Sequence, residues 1–185
     1  RKIRFKQSHS RVAGDALKGR HIDLAWTAGT NGSRALGREV LGTGGYSCLI
    51  ARRADQRPVG LTLGGLLERN HLLVSSGGYV GVVDEALAAL GRSRTVEAST
   101  THFAALPSLL AGTDCVATLP SHAAHALAKS SAVVCCPCPI DLPRYSVELA
   151  WRVDSARDPV VQKVSGLIGE VLQAIRAHDL VLGHD

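Results

Sequence analysis

The apolar residues of this chain recur at two spacings, every second residue and every third or fourth, and successive segments switch between them. A period of two marks a strand with one buried face, and a period near 3.6 marks a helix with one apolar stripe. Residues 95–120 show the switch most clearly. Residues 96–99 read as a short strand that runs into Ser99, Thr100 and Thr101, hydroxyl residues suited to accept from the unpaired N–H groups of a helix start. Phe103, Leu106, Leu109 and Leu110 follow at helical spacing, and Gly112 stands where a helix end takes a left-handed residue. Pro107 offers no N–H to the preceding turn, so it kinks or restarts this helix. Residues 115–119 form the next strand, and Pro120 begins a new element. Strand, hydroxyl-capped helix and strand make half of a parallel α/β unit, which aims donors at a ligand, preferably an anion. Taken singly, hydroxyls at a helix start are more often plain caps.

The same reading extends over the whole chain. Residues 2–7 alternate Ile3 and Phe5 with charges, as a half-exposed strand does, and Ser10 caps a helix carrying Val12, Ala13, Ala16 and Leu17 that stops at Gly19. Residues 21–26 form a strand, and the Gly/Asn/Ser loop after it lies at the carboxyl end of a parallel strand, where open α/β sheets bind ligands. Thr27 is the first polar side chain there, as a ligand contact or a loop cap. Strands at 39–41 and 46–51 flank a glycine cluster that no helix follows, so it reads as a connector and not a phosphate loop. A helix at 61–67, a strand at 71–75, a glycine loop and a helix to Leu90 closed by Gly91 come next. A helix follows Pro120, a strand starts at Val133, and residues 145–153 are a further strand. Asp158-Pro159 starts a last helix with the stripe Val160, Val164, Leu167, Val171 and Ile175. Charged or proline-rich passages near 51–58 and 137–143 mark two crossings. They divide the chain into one lobe of residues 1–50 with 142–182 and a second, inserted lobe of residues 51–141. Two such lobes close on a small ligand by hinge bending.

Composition narrows the function. With 185 residues and 45% apolar content there is ample material for a packed core. The net charge of +5 attracts anions mildly, but its Lys and Arg are scattered and only 4% of residues are aromatic, which argues against direct nucleic-acid binding. No apolar run has the length of a membrane span, and the first residues lack the apolar core of a signal peptide. There is no methionine, so the chain is expected to have been cut from something longer. Five cysteines with no secretory signal read as reduced thiols in a cytoplasmic protein. Cys135, Cys136 and Cys138 lack the paired spacing and second ligand pair of a zinc site; buried packing thiols are favoured over a redox-sensing thiol. A nucleotide enzyme lacks its G-x-G-x-x-G fingerprint, and a hydrolytic triad of Ser75 or Ser76 with His102 and Asp114 lacks a nucleophile elbow.

One set of motifs is distinctive in its order. The run T-x-H-F-x-A-x-P from Thr100 to Pro107 continues as Thr113-Asp114-x-Val116-Ala117-Thr118-Leu119-Pro120. Ile22-Asp23-Leu24-Ala25, Leu61-Thr62-Leu63, Val83-Asp84 and Trp151 with Arg157-Asp158-Pro159 join it. Across nearly its whole length the chain resembles the effector-binding domain of LysR-type transcriptional regulators, in the branch that senses small aromatic acids. The resemblance implies a two-lobed α/β fold like the type II periplasmic binding proteins, with a ligand cleft between lobes and the first lobe lacking its first strand and helix. It implies no catalysis, cofactor or metal, and no membrane association. It implies a small-molecule inducer, an aromatic carboxylate in that branch's chemistry, held near Thr27, Ser76, Gly77, Thr100, Thr101, His102 and Phe103, with His102 matching a ligand-contacting histidine. A homodimer is implied, tetrameric in a full-length regulator, with DNA contacted only through a winged helix-turn-helix that this chain does not contain. A periplasmic solute-binding protein of the same fold is the alternative, and a small-molecule enzyme a more distant one. Helix 80–90, apolar on two faces, and strand 96–99 are expected to meet residues 2–7 of the dimer mate.

Overall fold

Strand and helix periods resolve into eight strands and six α-helices in a computed structural model that describes residues 2–6, 10–28, 33–52, 60–75, 81–129 and 133–181. In chain order these are α1 (Ser10–Lys18), β1 (Leu24–Thr27), β2 (Leu36–Gly44), β3 (Tyr46–Ala51), α2 (Leu63–Leu67), β4 (Asn70–Val74) and α3 (Val82–Ala89). Then come β5 (Thr95–Thr100), α4 (Leu106–Leu110), β6 (Val116–Pro120), α5 (Ser121–Ala128), β7 (Val133–Pro137), β8 (Tyr145–Arg152) and α6 (Pro159–Val181). The chain separates into two compact units, Arg1–Thr43 with Tyr145–Asp185, and Gly44–Arg144.

The second unit is a five-stranded sheet in the order β5-β4-β6-β3-β7. β4 runs parallel to β5 and β6, while β3 is antiparallel to both β6 and β7. Side chains alternate across a pleated sheet, and here the alternation builds two cores. Leu49, Ala117, Leu119 and Val133 project to one face, under Leu106 and Leu110 of α4 and Ala124 of α5. Cys48, Val116 and Cys136 project to the other, under Leu66 of α2 and Val83 and Leu87 of α3. Sequence alone placed residues 46–50 in the first lobe. β3 instead pairs along its length with β6 and β7, and the ladder hydrogen bonds carry it into the second unit, so the crossing comes at Gly44.

Helix starts and stops follow local chemistry. Thr62 accepts from Gly65 N at 3.1 Å to cap α2, and Asp158 Oδ1 accepts from Val160 N at 2.7 Å ahead of α6. Gly91 and Gly112 take φ of 66° and 73° beyond α3 and α4, left-handed values that cost a side chain free energy. A 3₁₀ turn at Phe103–Ala105 precedes α4, with Pro107 in the helix's first turn, so the proline restarts the helix and does not kink it.

The first unit holds a three-stranded sheet in the order β1-β8-β2, with Ala13, Leu17, Ala25 and Ala150 at its core. Three expectations fail here. Residues 2–6 form no strand: they lie exposed, with Phe5 92% accessible, and no described strand pairs with them. The strand expected at 21–26 starts only at Leu24, because α1 unwinds through Arg20 at φ 58° while His21 N still donates to Ala16 O at 2.9 Å. β1 is also antiparallel to its neighbour β8, so Thr27 ends no parallel ladder. On α6, Val161 is buried but Leu167 and Val171 stay about half exposed. A helix of 23 residues runs about 35 Å, more than a three-stranded sheet can cover.

Candidate ligand-binding site

Parallel strands deliver their carboxyl ends to one edge of a sheet, and in the second unit that edge gathers most of the hydroxyl-rich sequence. Val74 is in register with Thr100, and Ser75 N donates to Thr100 O at 2.9 Å, so the ends of β4 and β5 are stitched side by side. Thr100 Oγ1 accepts from His102 N at 3.2 Å, which turns the chain out of β5 and leaves the Thr100 O–H proton to be donated elsewhere. His102 O in turn accepts from Ala105 N at 3.2 Å. Thr101 and His102 are exposed, and Phe103 is half-buried against the core under α4. One edge thus presents two threonine hydroxyls, an imidazole and an aromatic face. Hydroxyl and imidazole groups suit a carboxylate, and the ring suits a flat apolar body.

The remaining candidates fall elsewhere. Ser76 and Gly77 follow β4 but lie outside the described residues. Thr27 belongs to the first unit, where it is buried at the end of β1 in register with the equally buried Glu148. Sequence reading passed over Ser121, which opens α5 at the same edge as Thr100. Its Oγ accepts from Ser47 Oγ at 2.8 Å and its N donates to Gly45 O at 2.9 Å. The signal was available, since Pro120-Ser121 repeats the pattern of a strand end followed by a hydroxyl.

The hydrolytic triad does not assemble. His102 follows the carboxyl end of β5, whereas Asp114 precedes Val116, which is level with His71 at the amino end of β4. Thr100 is level with Val74, three residues beyond His71 on β4, so at about 3.3 Å per residue about 10 Å separates the two levels, too far for a hydrogen bond. That amino end carries a closed polar network instead. Arg94, its side chain 1% exposed, donates from Nε to Asp84 Oδ1 at 2.9 Å and from Nη2 to Asp84 Oδ2 at 2.6 Å. Asp84 Oδ2 also accepts from Gly81 N at 2.7 Å, and Arg94 Nη1 lies 3.3 Å from Nδ1 of the fully buried His71, whose Nε2 is 3.1 Å from Leu66 O. The Arg94 hydrogen bonds hold the Asp84 carboxyl below its ordinary range, and burial together with Arg94 pushes His71 down, so the imidazole is neutral. The network ties α3 to β4 and β5, and its groups are consumed in doing so.

In the first unit a shallow depression of about 560 Å³ is lined by Lys18, Arg20, Arg34, Arg152 and Asp154. Most of its charges are engaged: Asp154 takes Arg20 at 2.6 Å and Arg152 at 3.1 Å, and Lys18 pairs with Asp15 at 2.7 Å. Among the described residues no three His, Cys, Asp or Glu side chains converge as a metal site, and no helix is long and apolar enough to cross a membrane.

The family that this arrangement fits is also the one whose sequence pattern matches residues 2–173, the LysR substrate binding domain. This chain is a LysR substrate-binding domain. It is 26% identical over 114 residues to the HTH-type transcriptional activator NahR of Pseudomonas putida, a match covering 61% of this chain and 38% of NahR. The LysR domain described here therefore spans about two-fifths of that relative's length. Its fold resembles the regulatory domain of MexT, a transcriptional activator in Pseudomonas aeruginosa, with a TM-score of 0.77 and 26% identity over 89% of this chain and 80% of that one. A putative transcriptional regulator from Vibrio parahaemolyticus shares the fold at a TM-score of 0.75, with 20% identity over 91% of this chain and 78% of that one. The expected type II periplasmic-binding-protein-like fold is thus observed, and these relatives are named as regulators.

Proposed function

We propose that this domain senses a small organic anion, an aromatic carboxylate, on behalf of a LysR-type regulator that acts in the cytoplasm and has no enzymatic activity of its own. The observation that carries the reading is the carboxyl edge of β4 and β5, where Thr100, Thr101, His102 and Phe103 stand together beside Ser75. In this reading the two units are lobes that close on the ligand, with Thr27, Ser76 and Gly77 as further contacts, and closure is transmitted to a DNA-reading domain elsewhere in the regulator. A hydrogen bond to a carboxylate contributes about 1.5–3 kcal/mol, so Thr100→Val and His102→Ala each weaken binding about tenfold or more. Calorimetry on a panel of benzoate-type carboxylates tests this, and unchanged affinity in both variants would remove the site from consideration.

The domain also assembles, in this reading, as a twofold dimer in which α3 and β5 face residues 2–7 of the mate. Three features support it. β5 is an edge strand, α3 buries Val83 and Leu87 but exposes Ala89 and Leu90, and Ile3 and Phe5 are exposed. Sedimentation at micromolar concentration distinguishes this dimer from a folded monomer.

A further inference from the structure

The depression in the first unit is where three separate segments bring cations together. α1 ends in Lys18 and passes on through Arg20, the link ahead of β2 carries Arg34, and β8 ends in Arg152. Main-chain hydrogen bonds fix these segments. Val153 N donates to Ala35 O and Leu36 N to Ser33 O, both at 3.0 Å, while Arg20 N and His21 N fold back on Leu17 O and Ala16 O at 3.1 and 2.9 Å. Arg152, its side chain 12% exposed, donates from Nη1 to Leu17 O at 3.3 Å and to Ile22 O at 3.1 Å, which ties the end of β8 to the end of α1.

Within that frame the lining holds four cations, Lys18, Arg20, Arg34 and Arg152, against one carboxylate, Asp154. Asp154 is already shared by Arg20 Nη2 and Arg152 Nε. Arg34 is exposed and pairs with nothing among the described residues. Two more carboxylates reach in from solvent, Asp15 to Lys18 at 2.7 Å and Asp23 to Arg152 at 3.7 Å. At 77% and 83% exposure their pairs contribute little and give way to a competing anion. The left-handed position after a helix commonly goes to glycine or asparagine, because a larger side chain is crowded there. In this chain Arg20 takes it, at φ 58°.

We propose that this depression binds a phosphate group, free or as the monoester of a small molecule, separately from the organic anion proposed for the second unit. A phosphate group accepts hydrogen bonds on every side and carries about 1.5–2 negative charges at neutral pH. Arg34 and Arg20 offer it planar pairs of N–H groups, the geometry guanidinium groups use for phosphate oxygens, and Lys18 adds a point charge. Arg152 is committed to Leu17, Ile22 and Asp154, so it is a positioning residue that holds the segments together. Asp154 opposes the ligand. The only apolar lining is Ala35 and Val153, with no aromatic ring, so a benzoate-type ring has nothing to pack against.

Titrating the isotope-labelled domain with inorganic phosphate at neutral pH, with sodium chloride holding the ionic strength constant, tests the proposal. The expected result is saturable amide shifts at residues 18–20, 34–36 and 152–154, which benzoate at the same concentration does not produce. Arg34→Gln, a change to an exposed side chain with no partner to lose, weakens phosphate binding about tenfold, and Arg34→Glu abolishes it. Asp154→Asn tightens it severalfold. Thr100→Val leaves it unchanged, so failure here and failure of the β4–β5 site are read separately. Glycerol phosphate binding more tightly than inorganic phosphate identifies a monoester as the ligand, and weaker binding identifies free phosphate. Shifts that chloride alone reproduces, unchanged phosphate affinity in Arg34→Gln, shifts confined to the second unit, or tighter binding of a short DNA duplex at the same residues would each overturn the assignment.

Discussion

Replacing Asp84 by alanine removes the partner of a guanidinium that has almost no access to water. Arg94 is 1% exposed and places two hydrogen bonds on Asp84, at 2.9 and 2.6 Å, so truncation leaves a buried charge facing only a neutral His71. Breaking such a pair costs about 3–5 kcal/mol. Asp84 is itself 24% exposed, which places the loss near the lower end, about 3 kcal/mol. The same substitution removes the acceptor of Gly81 N at the start of α3, worth about 1 kcal/mol more. A total of about 4 kcal/mol is a large share of the 5–15 kcal/mol that a domain of this size holds, and lowers the melting temperature by on the order of 15 °C. Urea unfolding followed by far-ultraviolet circular dichroism measures it. Tryptophan fluorescence supplies a contrast, because Trp26 and Trp151 both belong to the first unit and Asp84 to the second. The double substitution Asp84→Ala with Arg94→Met takes away the stranded charge, so it recovers much of the loss. A single variant that loses less than about 1 kcal/mol, or a double variant as unstable as the single, would refute the reasoning.

Three further outcomes follow from particular residues. His71 and His122 are both held below their ordinary value of 6.5 by burial, so the unfolded chain binds more protons just below that pH; their stability contribution is full above pH 6.5 and is lost on acidification, and His71→Gln flattens the fall in denaturant midpoint between pH 7 and 5. Gly112→Ala, at φ 73° with nothing near its Cβ position, costs about 1 kcal/mol of backbone strain in a denaturation curve. Gly166→Ala, inside α6 and equally uncrowded, gains about 0.5–1 kcal/mol in the same assay.

How much of this was legible in the sequence depended on whether a signal was local. The carboxylate of Asp158, the glycines after α3 and α4, and Pro107 act within one turn, and each was read from the sequence, whereas the Thr62 cap of α2 was not. Strand partners are not local. Tyr46–Ala51 looks alike in either lobe, and only its ladder to β6 and β7 places it; residues 2–6 have a strand's alternation without a described neighbour to complete it. Of the candidate site, Thr100 to Phe103 was visible because its residues are consecutive. Ser121 was not, because it joins them only through the parallel order β5-β4-β6.

The central claim is that the carboxyl edge of β4 and β5 binds a small organic anion. Titrating an isotope-labelled sample of this domain with benzoate-type carboxylates while recording backbone amide resonances tests it most directly. The account predicts saturable shifts centred on Ser75 and on Thr100, Thr101, His102 and Phe103, with saturation moved to about tenfold higher ligand or beyond in Thr100→Val. Shifts centred on Arg20 and Arg152 in the first unit, or none at millimolar ligand across the panel, would contradict it.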